Sequence, residues 1–154
     1  IEEIRKLAKG LVNNVIRDLG LCEAIQNMTQ DLMAVCPLKI ACNMDPTIHP
    51  RMSAKFNLDV FRIVQEQLNN IIKHAGASLV RIRLSQNKRA VMLSIADNGS
   101  GFDAGKKSDG IGIINVKSRA AFYHGEADFI SRPGKGCVLK VRFPVASCLA
   151  GEET

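Results

Sequence analysis

The sequence has no tryptophan and a single tyrosine, and its 21 lysine and arginine residues are spread along the chain rather than clustered. A net charge of +6 suits phosphate groups, but a nucleic-acid-binding module usually shows a basic patch interleaved with aromatic residues. The chain also lacks an apolar run of about 18 residues and the pattern of a secretion signal. We therefore predict no nucleic acid partner, no membrane contact by this domain and a cytoplasmic location, although the full-length protein can be membrane-attached.

Cysteine is present but not in a pattern that builds a site. The five cysteines are odd in number, widely spaced and without a Cys-x-x-Cys pair, which argues against a disulfide framework and a zinc site. We interpret them as small apolar residues. With 154 residues, 46% of them hydrophobic, the chain is long enough for one domain with its own core.

The N-terminal part predicts two helices and a strand. Apolar residues from Ile4 recur at helical spacing without a preceding cap and end near Asn13, so we expect a piece of a longer protein. A second amphipathic helix is predicted from Leu21 to Val35, and Pro37 marks its end. A short alternating strand is predicted from Leu38.

The most informative element is a helix predicted from about Ala54 to Ala75, because it carries an apolar arc and a polar stripe. The arc consists of Phe61, Val64, Leu68, Ile71, Ile72 and Ala75, and the stripe of Glu66, Asn70 and Lys73, flanked by Asn69 and His74. Polar stripes are usually solvated, but adjacent asparagines are poor helix formers and suggest a use for amide oxygens. Asn70 is a candidate Mg²⁺ ligand and Lys73 a candidate phosphate contact, whereas His74 alone is more typical of packing or capping.

Asp97 ends the second strand of a predicted antiparallel hairpin that turns at Asn87. Alternation along that strand places the carboxylate on the same face as the apolar side chains. Burial of this carboxylate without donors would cost several kcal/mol or would raise its pKa, so the carboxylate requires donors from the protein or from a ligand. The sequence of Asp97–Gly101 is equally typical of an ordinary turn, and the aspartate alone does not decide between the two.

A polar connection from Gly101 leads to a second pair of glycines, Gly110 and Gly112. The connection is predicted to be either a lid over a ligand or a mobile loop. The glycines precede a helix predicted from Ile111 to Phe122, whose N-terminal N–H groups favour anions, although Gly-x-Gly alone is a weak signal. A second hairpin follows.

These elements predict an α+β fold, a two-layer α/β sandwich with helices on one face of a mixed, mainly antiparallel sheet. The site would lie between the two layers. The aspartate at a strand end, the two glycine segments and the polar face of the long helix would then converge on one pocket.

The order of the motifs resembles the Bergerat-fold ATPases shared by gyrase, Hsp90, MutL and histidine kinases, and within them the sensor histidine kinases. The similar segments are residues 66–75 (the N box), 97–102 (the first glycine box), 110–113 (the second glycine box) and 134–137 (the closing hairpin). Residues 4–11 and 18–21 resemble the end of the second dimerisation helix and the entry to the ATPase domain. That likeness is to the short-lid subclass, which usually pairs with helix-turn-helix response regulators.

The resemblance implies ATP and Mg²⁺ as cofactors. Asp97 would accept a hydrogen bond from the adenine amino group, with Gly99 and Gly101 beside the base, and Asn70 would hold the Mg²⁺. The implied catalytic residues are Glu66, Lys73 and His74, and the further implied nucleotide contacts are Gly110, Ile111, Gly112 and Cys137. Glu66 either activates water, as in hydrolysing relatives, or orders the water shell of the metal. Cys137 occupies a position where relatives commonly have threonine.

The resemblance also implies a division of the chain and a set of partners. Residues 1–18 would be a remnant of the dimerisation helix and linker, residues 19–146 the ATP-binding catalytic domain, and residues 147–154 a disordered tail. The partners would be the phosphoacceptor helix of the same full-length protein or its dimer mate, and a response-regulator receiver domain. His49 and His124 lack the acidic neighbour and helical setting of an acceptor, so the phosphoacceptor histidine is expected outside this chain.

Three functions remain open from sequence. The first is the catalytic domain of a sensor histidine kinase. The second is a hydrolysing ATPase like gyrase or MutL, which Glu66 favours but the short lid and N-terminal segment oppose. The third is a non-catalytic nucleotide-binding scaffold, or one that has lost nucleotide use.

Overall fold

A computed structural model of the chain describes residues 11–12, 14–45, 47–48, 51–105 and 110–151. Its main elements, in chain order, are α1 (Leu21–Val35), β1 (Lys39–Met44), α2 (Ala54–Asn70), β2 (Leu79–Gln86), β3 (Ala90–Asp97), α3 (Ile111–Phe122), β4 (Glu126–Ser131) and β5 (Cys137–Pro144). The predicted helices from Leu21 and from Ile111 are confirmed with the same bounds.

The five strands found within the described residues form one mixed sheet in the order β1-β2-β3-β5-β4. β1 runs parallel to β2, and the remaining neighbours are antiparallel. Along β2, β3 and β5 every second side chain is buried, so one face of the sheet packs on the core. The register pairs Asp97 with Cys137 on β5, which brings two of the predicted site residues side by side.

The helices cover the buried face of the sheet. α2 contacts both α1 and α3, while α1 packs on β1 and α3 packs on β4 and β5. The predicted α+β sandwich with a mainly antiparallel sheet is therefore confirmed. Within the described ranges, none of the helices is both long and apolar enough to cross a membrane.

α2 changes its geometry close to the polar stripe. Ser53 caps its start, since the hydroxyl Oγ accepts a hydrogen bond from Phe56 N at 3.0 Å. After Asn70 the chain continues as a π-helical turn, Ile71–Ala75, which ends at Gly76 with a φ of 59°. This wider turn breaks the 100° spacing, and Ile72 is 40% exposed. Its predicted place in the apolar arc is wrong.

A buried carboxylate joins α2 to α3. Asp59 accepts hydrogen bonds from Arg119 at 2.9 Å and from the hydroxyl of Tyr123. Burial is the main cause that raises the pKa of Tyr123 far above its ordinary value, and the hydrogen bond to Asp59 is the second cause. The Tyr123 ring packs edge-on against Phe56, with 5.2 Å between centroids. These contacts fix the position of α3, whose first turn carries the second glycine pair.

Two predictions about the ends of the chain are wrong where the structure describes them. The first helical pattern does not end near Asn13, because residues 14–19 are helical. The tail is not disordered from residue 147, because Cys148 is fully buried and Ala150 N donates to Arg51 O at 2.7 Å. A bridge between Met52 and Leu149 adds a strand-like contact to the start of α2. Residues 1–10 and 152–154 lie outside the described residues.

Candidate functional site

A cavity of about 940 Å³ opens between the end of α2, the start of α3 and the ends of β3, β4 and β5. Its volume is typical of sites for small organic ligands. The predicted site residues that line it are Asn70, His74, Asp97, Gly101, Gly110, Gly112 and Cys137. The cavity lining does not include Glu66, Lys73 or Gly99. The side chain of Ile111 lies outside the part of the chain that the structure describes. The motifs that sequence reasoning grouped together therefore do converge.

Asp97 is the buried acid of this cavity. It is 9% exposed, and its Oδ1 accepts a hydrogen bond from Gly99 N at 2.8 Å. Its Oδ2 is buried, and no donor from the described residues reaches it. Burial raises the pKa of Asp97, while the backbone N–H groups of Gly99 and Cys137 lower it. The carboxylate thus has one satisfied oxygen and one oxygen that needs a donor.

The loop after Asp97 is held in place by its own side chains. Asn98 Oδ1 accepts hydrogen bonds from the backbone N–H groups of Ser78 and Leu79, both at 2.9 Å. Ser100 N donates to Ala75 O at 2.8 Å, so the loop is also tied to the π-helical turn. An ordinary turn and a ligand site, which sequence left as alternatives, are therefore not exclusive here. Asp97 Oδ1 closes the turn by accepting from Gly99 N, Asn98 ties the loop to the start of β2, and Asp97 also lines the cavity.

Gly99 and Gly101 have packing reasons to be glycine. A Cβ at Gly99 would lie 2.7 Å from the Cβ of Ala75. Gly101 has a φ of 64°, and a Cβ there would collide with Arg132 O and lie 2.8 Å from Gly136 O. The predicted roles of these glycines beside a base stay predictions, because close approach to the neighbouring backbone already requires them.

The polar stripe of α2 meets the start of α3 at Gly112. A Cβ added at Gly112 would lie 2.8 Å from both Glu66 Oε1 and Asn70 Nδ2, and 3.1 Å from Asn70 Oδ1. Glycine therefore lets a carboxylate and an amide approach the first turn of α3. Within the described ranges, no group of three or more His, Cys, Asp and Glu side chains could hold a metal ion. The side-chain oxygens that could serve as metal ligands at this point are those of Glu66 and Asn70.

The first turn of α3 is open. Gly110 is its N-cap residue, and a Cβ there would meet no atom of the described part of the chain within 4 Å. Its backbone accepts from Ile114 N at 3.1 Å, as expected at a helix start. Free N–H groups at such a terminus favour anions. Lys73 and His74, both exposed, lie on the neighbouring π-helical turn.

Cys137 behaves as a neutral residue in the cavity wall. Burial and the nearby charge of Asp97 raise its pKa to about 11. The thiol is therefore protonated at neutral pH and is a poor nucleophile. Close to it, Ser131 Oγ accepts from Phe102 N at 2.9 Å and donates to Gly136 O at 2.7 Å. The sequence analysis missed this serine, which ties the loop after Asp97 to the turn between β4 and β5.

Gln67 is a second residue that sequence reasoning missed. It lines the cavity, is 3% exposed, and its Oε1 has no donor from the described residues. A signal for it exists: Gln67 lies three residues after Val64 and four before Ile71, so helical spacing places a polar residue inside the apolar arc.

A larger cavity of about 1100 Å³ lies between residues 16–30 and residues 45–58. It contains none of the motif residues, and the unsatisfied oxygens of Asp97 and Gln67 do not line it. Size alone is a weaker indication than convergent polar groups, so the smaller cavity is the candidate site.

Known sensor kinases resemble this chain along most of its length. It is 31% identical over 144 residues to the sensor histidine kinase LiaS of Bacillus subtilis, covering 93% of this chain and 39% of LiaS. It is 32% identical over 152 residues to the histidine-protein kinase/phosphatase DegS of Brevibacillus brevis, covering 96% of this chain and 38% of DegS. It is 30% identical to the sensor histidine kinase MctS of Rhizobium johnstonii, covering 81% of this chain and 28% of MctS. The chain thus spans well under half of these relatives.

Solved structures share the fold. The histidine kinase domain of the blue-light activated histidine kinase from Erythrobacter litoralis superposes with a TM-score of 0.67 at 16% identity, covering 82% of this chain and 61% of that one. The histidine kinase AdeS of Acinetobacter baumannii gives a TM-score of 0.62 at 12% identity, covering 93% and 79%. At these identities the likeness concerns the fold.

The family model described as "Histidine kinase-, DNA gyrase B-, and HSP90-like ATPase" matches residues 55–147. That match takes in more than half of the chain and every residue that lines the candidate site. With its glycine loops, its buried acid and its asparagine-bearing helix, the chain belongs to the histidine kinase-, DNA gyrase B- and HSP90-like ATPase family.

Proposed function

We propose that this chain is the ATP-binding catalytic domain of a sensor histidine kinase, which positions Mg-ATP for transfer of the γ-phosphoryl group to a histidine outside the chain. The observation that carries the proposal is Asp97 Oδ2, a buried oxygen to which none of the described residues donates, on a residue that lines the cavity together with the family's motifs. An amino group on a purine supplies the N–H that this oxygen lacks. Guanine also carries donors, at N1 and on its 2-amino group, so the choice of adenine is supported by the match to the ATPase family.

The cavity also suits the rest of the base. Ile71, Ile113 and Phe129 contribute apolar walls, which a flat ring needs, whereas Asp97 provides the polar contact at one edge. Such an arrangement, apolar walls with few placed polar groups, is typical of nucleotide sites. The hydrogen bond from Gly99 N keeps the carboxylate in position before a ligand arrives.

The phosphates and the metal belong at the junction of α2 and α3. Mg²⁺ prefers oxygen ligands, keeps several waters and is usually shared with phosphate, so one amide oxygen from Asn70 fits its requirements. When bound, the metal neutralises phosphate charge. Glu66, one turn earlier on α2, is close enough to the same point at Gly112 to accept hydrogen bonds from water there.

The remaining residues contribute charge and backbone donors. Lys73 and His74 lie on the π-helical turn next to Asn70, where a cation can meet the phosphates. Gly110 and Gly112, which have no side chains of their own, bring the N–H groups of the first turn of α3 to the cavity. Phosphoryl transfer depends mainly on such positioning and charge neutralisation.

Two partners complete the proposed reaction. The acceptor is a histidine on the phosphoacceptor helix of the full-length protein or of its dimer mate, and the phosphoryl group then passes to an aspartate of a response-regulator receiver domain. The sensor kinases named above support this proposal, since the chain corresponds to 28 to 39% of each of them.

The test is a phosphorylation assay on the full-length protein with γ-labelled ATP and Mg²⁺. We expect a label with the acid-labile, alkali-stable behaviour of phosphohistidine, which is abolished by Asn70→Ala. Asn69→Ala is the matched control, because Asn69 is an exposed neighbour of the same type that does not line the cavity. An equal loss in both variants would contradict the assignment of Asn70.

The isolated chain separates the three functions. A kinase domain without its acceptor binds ATP and releases little phosphate, whereas a hydrolysing relative turns ATP over steadily and loses that turnover with Glu66→Gln. A folded chain that binds no adenine nucleotide would reject both and leave a scaffold. Calorimetry with ATP and a phosphate-release assay on the same preparation distinguish these results.

A further inference from the structure

Gln67 lines the same cavity as Asp97 and carries a second buried oxygen without a donor from the described residues. Within the described residues, the buried side-chain oxygens and nitrogens without a hydrogen-bond partner are Gln67 Oε1 and Asp97 Oδ2, and both residues line the same cavity. Native proteins leave few buried polar atoms unpaired. Two acceptors without donors in one cavity therefore indicate a ligand or water that supplies two donors.

The fold itself gives no reason for an amide at position 67. The side chain is 3% exposed, and its Oε1 accepts no hydrogen bond from any described residue. A leucine or methionine would fill the same space on this helix without the penalty of burying an unpaired acceptor. What Gln67 adds to a purely apolar residue is thus only its polar end.

We propose that Gln67 is a second base-recognition residue, which rests on the proposed function. Its amide oxygen accepts, directly or through one ordered water, from the same exocyclic amine that donates to Asp97. A primary amine on a purine ring has two N–H bonds, and the two acceptors satisfy both. Selection of 6-aminopurines over purines that are unsubstituted at C6 then depends on two side chains instead of one.

Two ligands that differ only in the amine test this role by equilibrium binding. ATP carries the 6-amino group, and purine riboside triphosphate has hydrogen in its place. We expect Gln67→Leu and Gln67→Met to weaken ATP binding about fivefold to tenfold, the size of one neutral hydrogen bond, and to change the binding of purine riboside triphosphate by less than about twofold. Calorimetry with Mg²⁺ present in all titrations gives the dissociation constants.

Gln65→Leu is the matched control. Gln65 lies two residues earlier on α2, does not line the cavity, and its Oε1 accepts from Arg62 at 2.7 Å. It should leave the preference for ATP over the unsubstituted analogue unchanged. In the absence of nucleotide, urea unfolding of Gln67→Met should show a midpoint equal to or above that of the wild type, because an unpaired acceptor has been removed. A structural role for the amide would lower it.

The outcomes separate this proposal from the function on which it rests. If Gln67→Leu and Gln67→Met weaken both ligands equally, or neither, the amide does not recognise the amine and the inference is wrong. If Asp97→Asn also binds ATP like the wild type, the nucleotide site itself is wrong. Loss of ATP binding in Asp97→Asn with unselective effects at Gln67 overturns only the role of Gln67.

Discussion

Asp97→Asn replaces one carboxylate oxygen by an NH₂ group while it keeps the size of the side chain. Since Asp97 Oδ1 accepts from Gly99 N at 2.8 Å, the oxygen of the new amide is retained at that position. The amide nitrogen then takes the place of Oδ2, the buried oxygen that has no donor from the described residues, in a side chain that lines the cavity. An adenine amino group would meet a donor where the wild type offers an acceptor.

The expected loss follows from this geometry. A hydrogen bond to a charged group contributes about 1.5–3 kcal/mol, and every 1.4 kcal/mol is a factor of ten in the dissociation constant. Opposed donors add a desolvation penalty, so we expect ATP to bind at least about 10-fold and up to several hundred-fold more weakly. Turning the amide over does not restore binding, because it breaks the bond from Gly99.

The assay is calorimetric titration of Mg-ATP into the isolated chain, with Asp128→Asn as the control. Asp128 is an exposed carboxylate on β4, so its replacement makes the same charge change away from the cavity. Nucleotide-free unfolding should show that Asp97→Asn is folded and no less stable than the wild type, since burial penalises the ionised carboxyl. Equal affinity of Asp97→Asn and wild type for ATP would refute the role of Asp97 as the reader of the base.

Three further results are expected. Gly112→Ala adds a methyl group 2.8 Å from Asn70 Nδ2, so Mg-ATP should bind roughly tenfold more weakly. The urea midpoint should barely change, because the higher helix propensity of alanine offsets the cost to folding. An unchanged affinity in calorimetry would argue against this junction as the metal and phosphate site. Burial raises the pKa of Asp97, so the contribution of this carboxyl group to stability is fully present below about pH 3.9 and is lost as the pH rises through the raised pKa. Asp97→Asn should therefore flatten the decline of the urea midpoint above about pH 4. Parallel pH profiles of the wild type and the variant would contradict this. Tyr123→Phe removes one donor from the buried Asp59 and should lower the free energy of unfolding by about 1–3 kcal/mol in urea titrations. A change below about 0.5 kcal/mol would show that Arg119, together with Lys55 at 3.5 Å from Asp59 Oδ2, satisfies the carboxylate.

The elements were predictable where one local rule dominates. Helical spacing and Pro37 located α1, and alternation with a turn at Asn87 located the β2–β3 hairpin, whose Asn87 Oδ1 accepts from Arg89 N and Ala90 N at 2.8 Å. Alternation also put Asp97 on the buried face. These signals depend only on residues close in sequence, and tertiary contacts had no reason to override them.

The errors arose where distant contacts decide. Ile72 is exposed because α2 widens into a π-helical turn, which the 100° spacing cannot anticipate. The described part of the tail packs on the domain because Cys148 is fully buried in the core and its carbonyl accepts from Ser53 N at 2.8 Å. No local pattern in a short C-terminal segment reveals a partner that lies almost 100 residues earlier.

The candidate site was predictable in its members but not in its unsatisfied atoms. Sequence motifs brought Asp97, Asn70 and Gly112 together, yet only the structure shows that the turn consumes Asp97 Oδ1 and leaves Oδ2 free. Likewise, Gly101 has its own packing requirement against the backbone of Arg132, so a glycine motif alone overstates how many glycines serve a ligand.

Stability and recognition make opposite demands on the two buried acceptors. A chain selected only for a stable core would hold apolar side chains at positions 67 and 97, because each unpaired oxygen there raises the free energy of the nucleotide-free fold. Since none of the described residues supplies a donor, a ligand with an amine can relieve both penalties, and the same atoms that weaken the empty domain increase the difference between a ligand with an amine and one without. Residues that fit their local fold poorly are for this reason the strongest indication of the ligand, and in this chain the described residues place two of them, Gln67 and Asp97, in one cavity.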